Sequence, residues 1–180
     1  VYSEQLDEAA QVFEELVADE PKDVLSVLRL SQVYRQKRNF EKAREYSKKA
    51  LELDGNNMDV RYNEANLLEA EGRITEAIAS LNEMLKTTER KTYLPQEKGN
   101  RLLLLERIGM MQRGNEQFAD AVKSFQMGIE LEPGAAGRMS AQVVETYRQA
   151  KDFAKAEAEI DAAMKKYPDD RVLKSLKGSI

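Results

Sequence analysis

The sequence predicts an all-α protein made of stacked antiparallel helix pairs, and three repeating features support this class. Alanines that anchor a helix recur at separations of 34, 34, 44 and 35 residues, at Ala9, Ala43, Ala77, Ala121 and Ala156. A helix-stopping glycine or proline lies twelve residues after four of these anchors, at Pro21, Gly55, Pro133 and Pro168. Small side chains dominate a position twelve residues before an anchor, here called the slot, at Ser31, Ala65, Gly109 and Val144. Small slot residues would let two helices cross closely.

The helices follow from this register in chain order. A single helix is predicted at about 3–19, followed by pairs at about 24–37 and 40–53, 58–71 and 74–88, 96–113 and 116–130, and 138–150 and 154–166. A last helix begins near Asp170, and Gly178 falls at its slot position. Asn39, Gly72 and Gly114 are predicted to mark the turns inside the pairs.

The same register divides the chain 1–180 into repeats of one array. The predicted divisions are a half repeat at 1–23, repeats at 24–57 and 58–91, an insertion at 92–101, repeats at 102–136 and 137–170, and the start of a further repeat at 171–180. Pro95 could begin a lengthened helix within the insertion, at the first turn where proline is tolerated. The insertion is either a tolerated surface connection or a functional loop.

Composition excludes several kinds of site. Cysteine and histidine are absent, which removes thiol chemistry, the commonest general base and every metal pattern built on those residues. No phosphate-binding glycine loop and no run of about 18 apolar residues is present. The net charge of −4 argues against nucleic acid as a partner. We therefore predict no enzyme activity, no cofactor, no metal and no membrane insertion.

The 34-residue helix–turn–helix register resembles the tetratricopeptide repeat family, although the tryptophan common in those repeats is missing. The resemblance implies a right-handed superhelical array whose first helices line a concave groove that binds peptides. It places these candidate groove residues: Arg29, Gln32, Arg35, Tyr62, Asn63, Asn66, Arg107, Met110, Arg113, Gln142 and Glu145. Amide and guanidinium groups of this kind can bind peptide backbones and carboxylates.

The function predicted from this resemblance is a non-enzymatic scaffold that binds a protein or peptide segment in the groove. Two alternatives remain open. The chain could be a regulatory or targeting region of a larger enzyme, or it could mediate self-association through repeats that stop mid-unit at both ends. Charge is uneven as well: residues 1–23 hold eight acids and one base, whereas 24–57 hold eight bases and four acids. Neighbouring segments of opposite sign can attract each other, or they can form a patch for a partner.

Overall fold

A computed structural model describes residues 1–178, and over these residues the chain is helical without strands. The helices are α1 (Tyr2–Asp19), α2 (Val24–Gln36), α3 (Phe40–Leu53), α4 (Met58–Ala70), α5 (Ile74–Thr87), α6 (Pro95–Gly114), α7 (Phe118–Leu131), α8 (Ala136–Gln149), α9 (Phe153–Lys166) and α10 (Arg171–Gly178). A 3₁₀ turn, Pro133–Ala135, precedes α8. The predicted all-α class is confirmed, and every predicted helix end lies within two residues of the observed one.

The chain forms two compact units, Val1–Met84 and Leu85–Ile180. In the first unit, α1, α2 and α3 pack around a core that joins Leu6 and Ala10 of α1 to Leu30 and Tyr34 of α2. The anchor Ala43 of α3 is fully buried in that core. An alanine suits this position because its short side chain lets the helix axes approach.

In the second unit, α6, α7 and α8 pack around Phe125 of α7, which has no exposed surface. Gly109 occupies the slot of α6 directly beneath the ring, and a Cβ added there would lie 2.6 Å from a ring carbon of Phe125. The glycine in the slot of α6 is therefore required by packing.

Further along the chain, Leu173 of α10 is fully buried, and Asp170 caps α10 by accepting from the Leu173 amide at 3.1 Å.

The turns inside the four pairs correct one part of the sequence analysis. A residue in the left-handed region lies five positions before the anchor in each pair, at Arg38, Gly72, Glu116 and Lys151. Gly72 and Asn39 lie in their turns, where Asn39 caps α3 by accepting from the Lys42 amide at 3.3 Å, whereas Gly114 is the last residue of α6. Three hairpins thus tolerate a side chain where glycine would be least strained.

Most of the insertion 92–101 is helix rather than loop. Pro95 is the first residue of α6, as its fixed φ favours, so the helix is lengthened at its start. Arg101 fastens this extension to the preceding residues: its guanidinium donates to the Leu85 carbonyl at 3.0 Å and lies 5.0 Å from the ring centre of Tyr93. The connection before α6 is therefore held by specific contacts.

Candidate functional site

The candidate site comprises the outer faces of the first helices of the pairs, here called the first-helix walls, and each unit has its own. In the first unit the wall is formed by α2 and α4. Arg29 is exposed and donates to the Gln32 side-chain oxygen at 3.0 Å, so these two residues form one polar group on α2. The other predicted residues on this wall are partly exposed, namely Gln32, Arg35, Tyr62 and Asn66.

Asn63 lies in the interior rather than on the accessible wall. Its side chain is 2% exposed, and its amide nitrogen donates to the Ser31 hydroxyl at 2.8 Å. That hydroxyl donates in turn to the Ala43 carbonyl at 2.8 Å. The chain of hydrogen bonds joins α4, α2 and α3, so Asn63 stabilises helix packing. Asn63 is not accessible to a peptide, because its side chain is buried against the small slot residue Ser31.

In the second unit the wall is formed by α6 and α8. Leu103 is 57% exposed and Met110 is 40% exposed, and Arg107 lies between them on α6. Residues spaced by four and then three positions share one face of a helix. The wall of α6 therefore presents an apolar, cationic and apolar side chain in succession.

Two polar contacts fix α6 against α8 on this wall. Arg113 donates to the Gln142 side-chain oxygen at 2.7 Å, and its guanidinium also lies 5.8 Å from the ring centre of Phe125. Arg138 forms an ion pair with Glu106 at 3.1 Å. Arg113 and Gln142 are thus brought together as partners of each other, which holds the wall rigid but occupies their polar groups. Glu145 is half-buried and accepts from Gln149 at 3.2 Å.

The sequence analysis missed two leucines on these walls. Leu25 of α2 is 59% exposed, and it lies six residues before its slot, as Leu103 does on α6. Arg29 and Arg107 both follow four residues later. The repeat register could have shown this match, but each leucine alone is indistinguishable from a core residue in sequence. The two walls therefore share an exposed leucine followed by an arginine.

Tyr34 on α2 and Glu159 on α9 have raised pKa values. Burial, together with a hydrogen bond from the Tyr34 hydroxyl to the Glu14 carboxylate, raises the pKa of Tyr34 well above its ordinary value. Burial alone raises the pKa of Glu159 on α9. Packing explains both shifts, together with the Glu14 carboxylate in the case of Tyr34.

A cleft of about 440 Å³ lies within the first unit between α3, α4 and α5. Much of its charged lining is internally paired: Arg44 binds Glu71 at 2.7 Å, and Arg73 binds Glu76. Opposite charges that neutralise each other leave little field for an ionic ligand. Among residues 1–178, no cluster of acids has the arrangement of a metal site, and no helix is long and apolar enough to cross a bilayer.

Comparison with known proteins places the chain by fold. The family model for anaphase-promoting complex, cyclosome, subunit 3 matches residues 3–84. The chain is similar to the crystal structure of MamA, with 16% identity, 92% of this chain and 84% of that chain covered, and a TM-score of 0.66. It is also similar to YrrB, described as a TPR protein with an unusual peptide-binding site, with 19% identity, 98% and 86% covered, and a TM-score of 0.61.

A third similar structure is a tetratricopeptide repeat protein from Parabacteroides merdae ATCC 43184, with 16% identity, 99% of this chain and 67% of that chain covered, and a TM-score of 0.69. No curated protein matches the chain in sequence. The predicted resemblance is confirmed at the level of fold: the chain has the fold of tetratricopeptide repeat proteins. At these sequence identities the similarity shows the architecture alone, so the function has to be argued from the site.

Proposed function

We propose that the protein is a non-enzymatic scaffold that binds a peptide or protein segment on its first-helix walls. The observation that carries the proposal is the exposure of Leu103 and Met110 on either side of Arg107. A wall that only met water would gain nothing from two exposed apolar side chains on one helical face. Covering them with a partner's apolar groups removes that surface from water.

The chemistry of the partner follows from the same three side chains. Methionine adapts to irregular apolar surfaces, and arginine can clamp a carboxylate with two hydrogen bonds. A segment with an aliphatic or aromatic residue near an acidic residue fits this arrangement. The wall of the first unit offers a related surface through Leu25 and Arg29, which have the same spacing.

The rigid setting of the second wall supports binding as well. The Arg113–Gln142 hydrogen bond and the Glu106–Arg138 ion pair hold α6 and α8 in place before any partner arrives. A surface that is already ordered loses less conformational freedom on binding, which favours affinity.

The test uses peptides selected from a randomised display library on the intact 180-residue chain. Fluorescence anisotropy then measures their affinity for the chain, for Leu103→Ser and for Met110→Ser. Burying a leucine or methionine contributes about 1.5–3 kcal/mol, so each substitution should weaken binding by at least about tenfold.

Leu94→Ser is the matched control, because Leu94 is an exposed leucine of the same unit that lies outside the wall. It should leave the affinity unchanged. Selected peptides that bind both wall variants as tightly as the unaltered chain, with helicity retained in circular dichroism, would overturn the assignment of this wall.

A further inference from the structure

The cleft between α3, α4 and α5 is lined at three positions of the repeat register. These are the fourth residue after the anchor of α3, the third after the slot of α4 and the third after the anchor of α5. The side chains at these positions are Ser47, Leu68 and Ser80, and each of them lines the cleft. Two small serines and one aliphatic side chain therefore surround a space of about 440 Å³.

Aromatic side chains hold the same three positions one repeat earlier. A first helix with the second helices before and after it is here called a junction. At the junction of α1, α2 and α3 the three residues are Phe13, Tyr34 and Tyr46, and all of them belong to the packed interior. The rings of Tyr34 and Tyr46 are stacked, with 5.9 Å between their centres and 5° between their planes. Aromatic rings therefore fill this junction.

The junction of α7, α8 and α9 in the second unit supports the comparison. Its first two positions hold Phe125 and Tyr147, which pack together in the core of that unit. Ser47 and Leu68 thus lie where these two junctions have a phenylalanine and a tyrosine. The cleft is therefore located where aromatic rings fill the equivalent space elsewhere in the molecule.

The cleft also contains a polar group that the chain leaves unpaired. Ser47 is 3% exposed, and its hydroxyl has no hydrogen-bond partner among residues 1–178. The hydroxyl of Ser80 differs, because it donates to the Glu64 carboxylate at 3.3 Å. A buried hydroxyl without a partner is unfavourable, and a ligand that supplies one hydrogen bond to it would remove that cost.

The remaining lining favours a neutral ligand with an apolar body. Leu51 and Leu67 line the cleft together with Leu68. The Arg44–Glu71 ion pair on the same lining is already formed within the chain, so an ionic group would gain little there. The volume of about 440 Å³ lies within the range of about 300–1,000 Å³ that small-molecule sites occupy.

We propose that this cleft binds a small neutral aromatic molecule with one hydrogen-bonding group, which meets the Ser47 hydroxyl while the ring lies on the three leucines. The ring takes the space that aromatic side chains fill at the other two junctions. The site goes beyond the proposed peptide binding, because none of the candidate wall residues lines the cleft.

Two probes that differ only in a hydroxyl group, 4-methylphenol and toluene, test the proposal. Each is titrated into the intact, isotope-labelled chain while the chemical shifts of the backbone amides are recorded. 4-Methylphenol should cause saturable shifts in α3, α4 and α5, with a Kd of about 1 mM or below. Toluene should bind at the same place more weakly. 4-Methylcyclohexanol, which keeps the hydroxyl but lacks a flat ring, should also bind more weakly than 4-methylphenol.

Ser47→Ala removes the unpaired hydroxyl and leaves the rest of the lining unchanged. The Kd of 4-methylphenol should rise by about two- to tenfold, which corresponds to the loss of one hydrogen bond. The Kd of toluene should not rise, because toluene makes no hydrogen bond. The ratio of the two dissociation constants therefore reports the role of Ser47 separately from any change in the fold.

Leu68→Tyr combined with Ser80→Tyr fills the cleft from within. The two new rings hold the positions of Tyr34 and Tyr46, so this double variant copies the stacked pair of the earlier junction. It should raise the Kd of 4-methylphenol by more than about tenfold, because a closely packed interior has no room for a ligand. Leu94→Tyr is the control, since it adds a tyrosine at an exposed leucine outside the cleft and should bind like the unaltered chain.

Several results would overturn the proposal. They are the absence of saturable shifts with 4-methylphenol, shifts centred outside α3, α4 and α5, equal affinity for 4-methylcyclohexanol, and a ratio of dissociation constants that Ser47→Ala leaves unchanged. Circular dichroism checks the helicity of the double variant, and the Ser47→Ala ratio decides alone if that helicity is lost. Peptide affinity for the walls is measured separately, so failure here leaves the proposed function standing.

Discussion

The pairs α2–α3 and α6–α7 share one register but close their helix crossings with different chemistry. In α2–α3 the slot holds Ser31, whose hydroxyl links Asn63 to the Ala43 carbonyl, and the facing position holds the small buried Ser47. In α6–α7 the slot holds Gly109, and the facing position holds Phe125 with its ring against the glycine. One crossing is held by hydrogen bonds, and the other by an aromatic ring in a glycine slot.

The comparison shows that the repeat fixes positions rather than interactions. The other two pairs use Ala65 with Leu81 and Val144 with Ile160 at the same two positions. Each combination fills the space between two helices that cross at that point, because protein interiors are packed to nearly constant density. A substitution at one position should therefore have a cost that depends on which of these solutions surrounds it.

The largest expected difference between the two crossings follows from truncating the facing residue. Phe125→Ala removes a fully buried ring, and we expect the free energy of unfolding to fall by about 3–5 kcal/mol. Ser47→Ala at the matched position should not lower it, because the Ser47 hydroxyl is buried with no hydrogen-bond partner among the described residues and its removal takes away an unpaired polar group. Denaturant titration, with hydrogen exchange to locate the loss in α6 and α7, measures both.

Equal costs at the two positions would show that the crossings are not held in the different ways described. A loss of hydrogen-exchange protection spread evenly over both units on Phe125→Ala would contradict the assignment of its effect to α6–α7.

The next effect concerns the slot of the polar crossing. Ser31→Ala removes the acceptor of the Asn63 amide and the donor to the Ala43 carbonyl, so two buried groups lose their partner. We expect the free energy of unfolding to fall by about 1–3 kcal/mol. Ser47→Ala is again the matched control, since it is the same change in the same pair without the hydrogen bonds. A Ser31→Ala cost no larger than that of Ser47→Ala would remove the case for a polar crossing.

The smallest effect appears only at high pH and also belongs to α2. The Tyr34 hydroxyl is buried and donates to Glu14, so its pKa in the folded chain lies above the unfolded value of about 10. This contribution to stability is fully present below pH about 10. It is lost as pH rises above that value, with a slope of at most about 1.4 kcal/mol per pH unit, because the unfolded chain loses the proton first.

Tyr34→Phe should remove this slope, which denaturant titrations at stepwise pH above about 9 can measure against the unaltered chain. An identical slope in the two proteins would mean that the hydroxyl does not titrate in the way its surroundings require.

The sequence by itself determined the helices and their pairing. The residues of the repeat register act locally, whether they are anchor alanines, slot residues or the glycine or proline after each pair. A residue that cannot continue a helix ends it, and a side chain too large for the crossing keeps two helices apart. For this reason helix ends were predicted to within two residues, including the start of α6 at Pro95. Of the eleven candidate wall residues that the resemblance placed, ten are at least partly exposed, all but Asn63.

Only the tertiary structure decided which equivalent positions meet water. Asn63 occupies the same register position as Arg29, yet it is buried because Ser31 of the neighbouring helix offers a hydrogen bond and leaves space for it. Leu25 and Leu103 are exposed although leucine usually marks a core. Burial depends on the neighbours that the folded chain brings to each position, and those neighbours are distant in sequence. A repeat register therefore fixes where a side chain stands, and packing determines what it can bind.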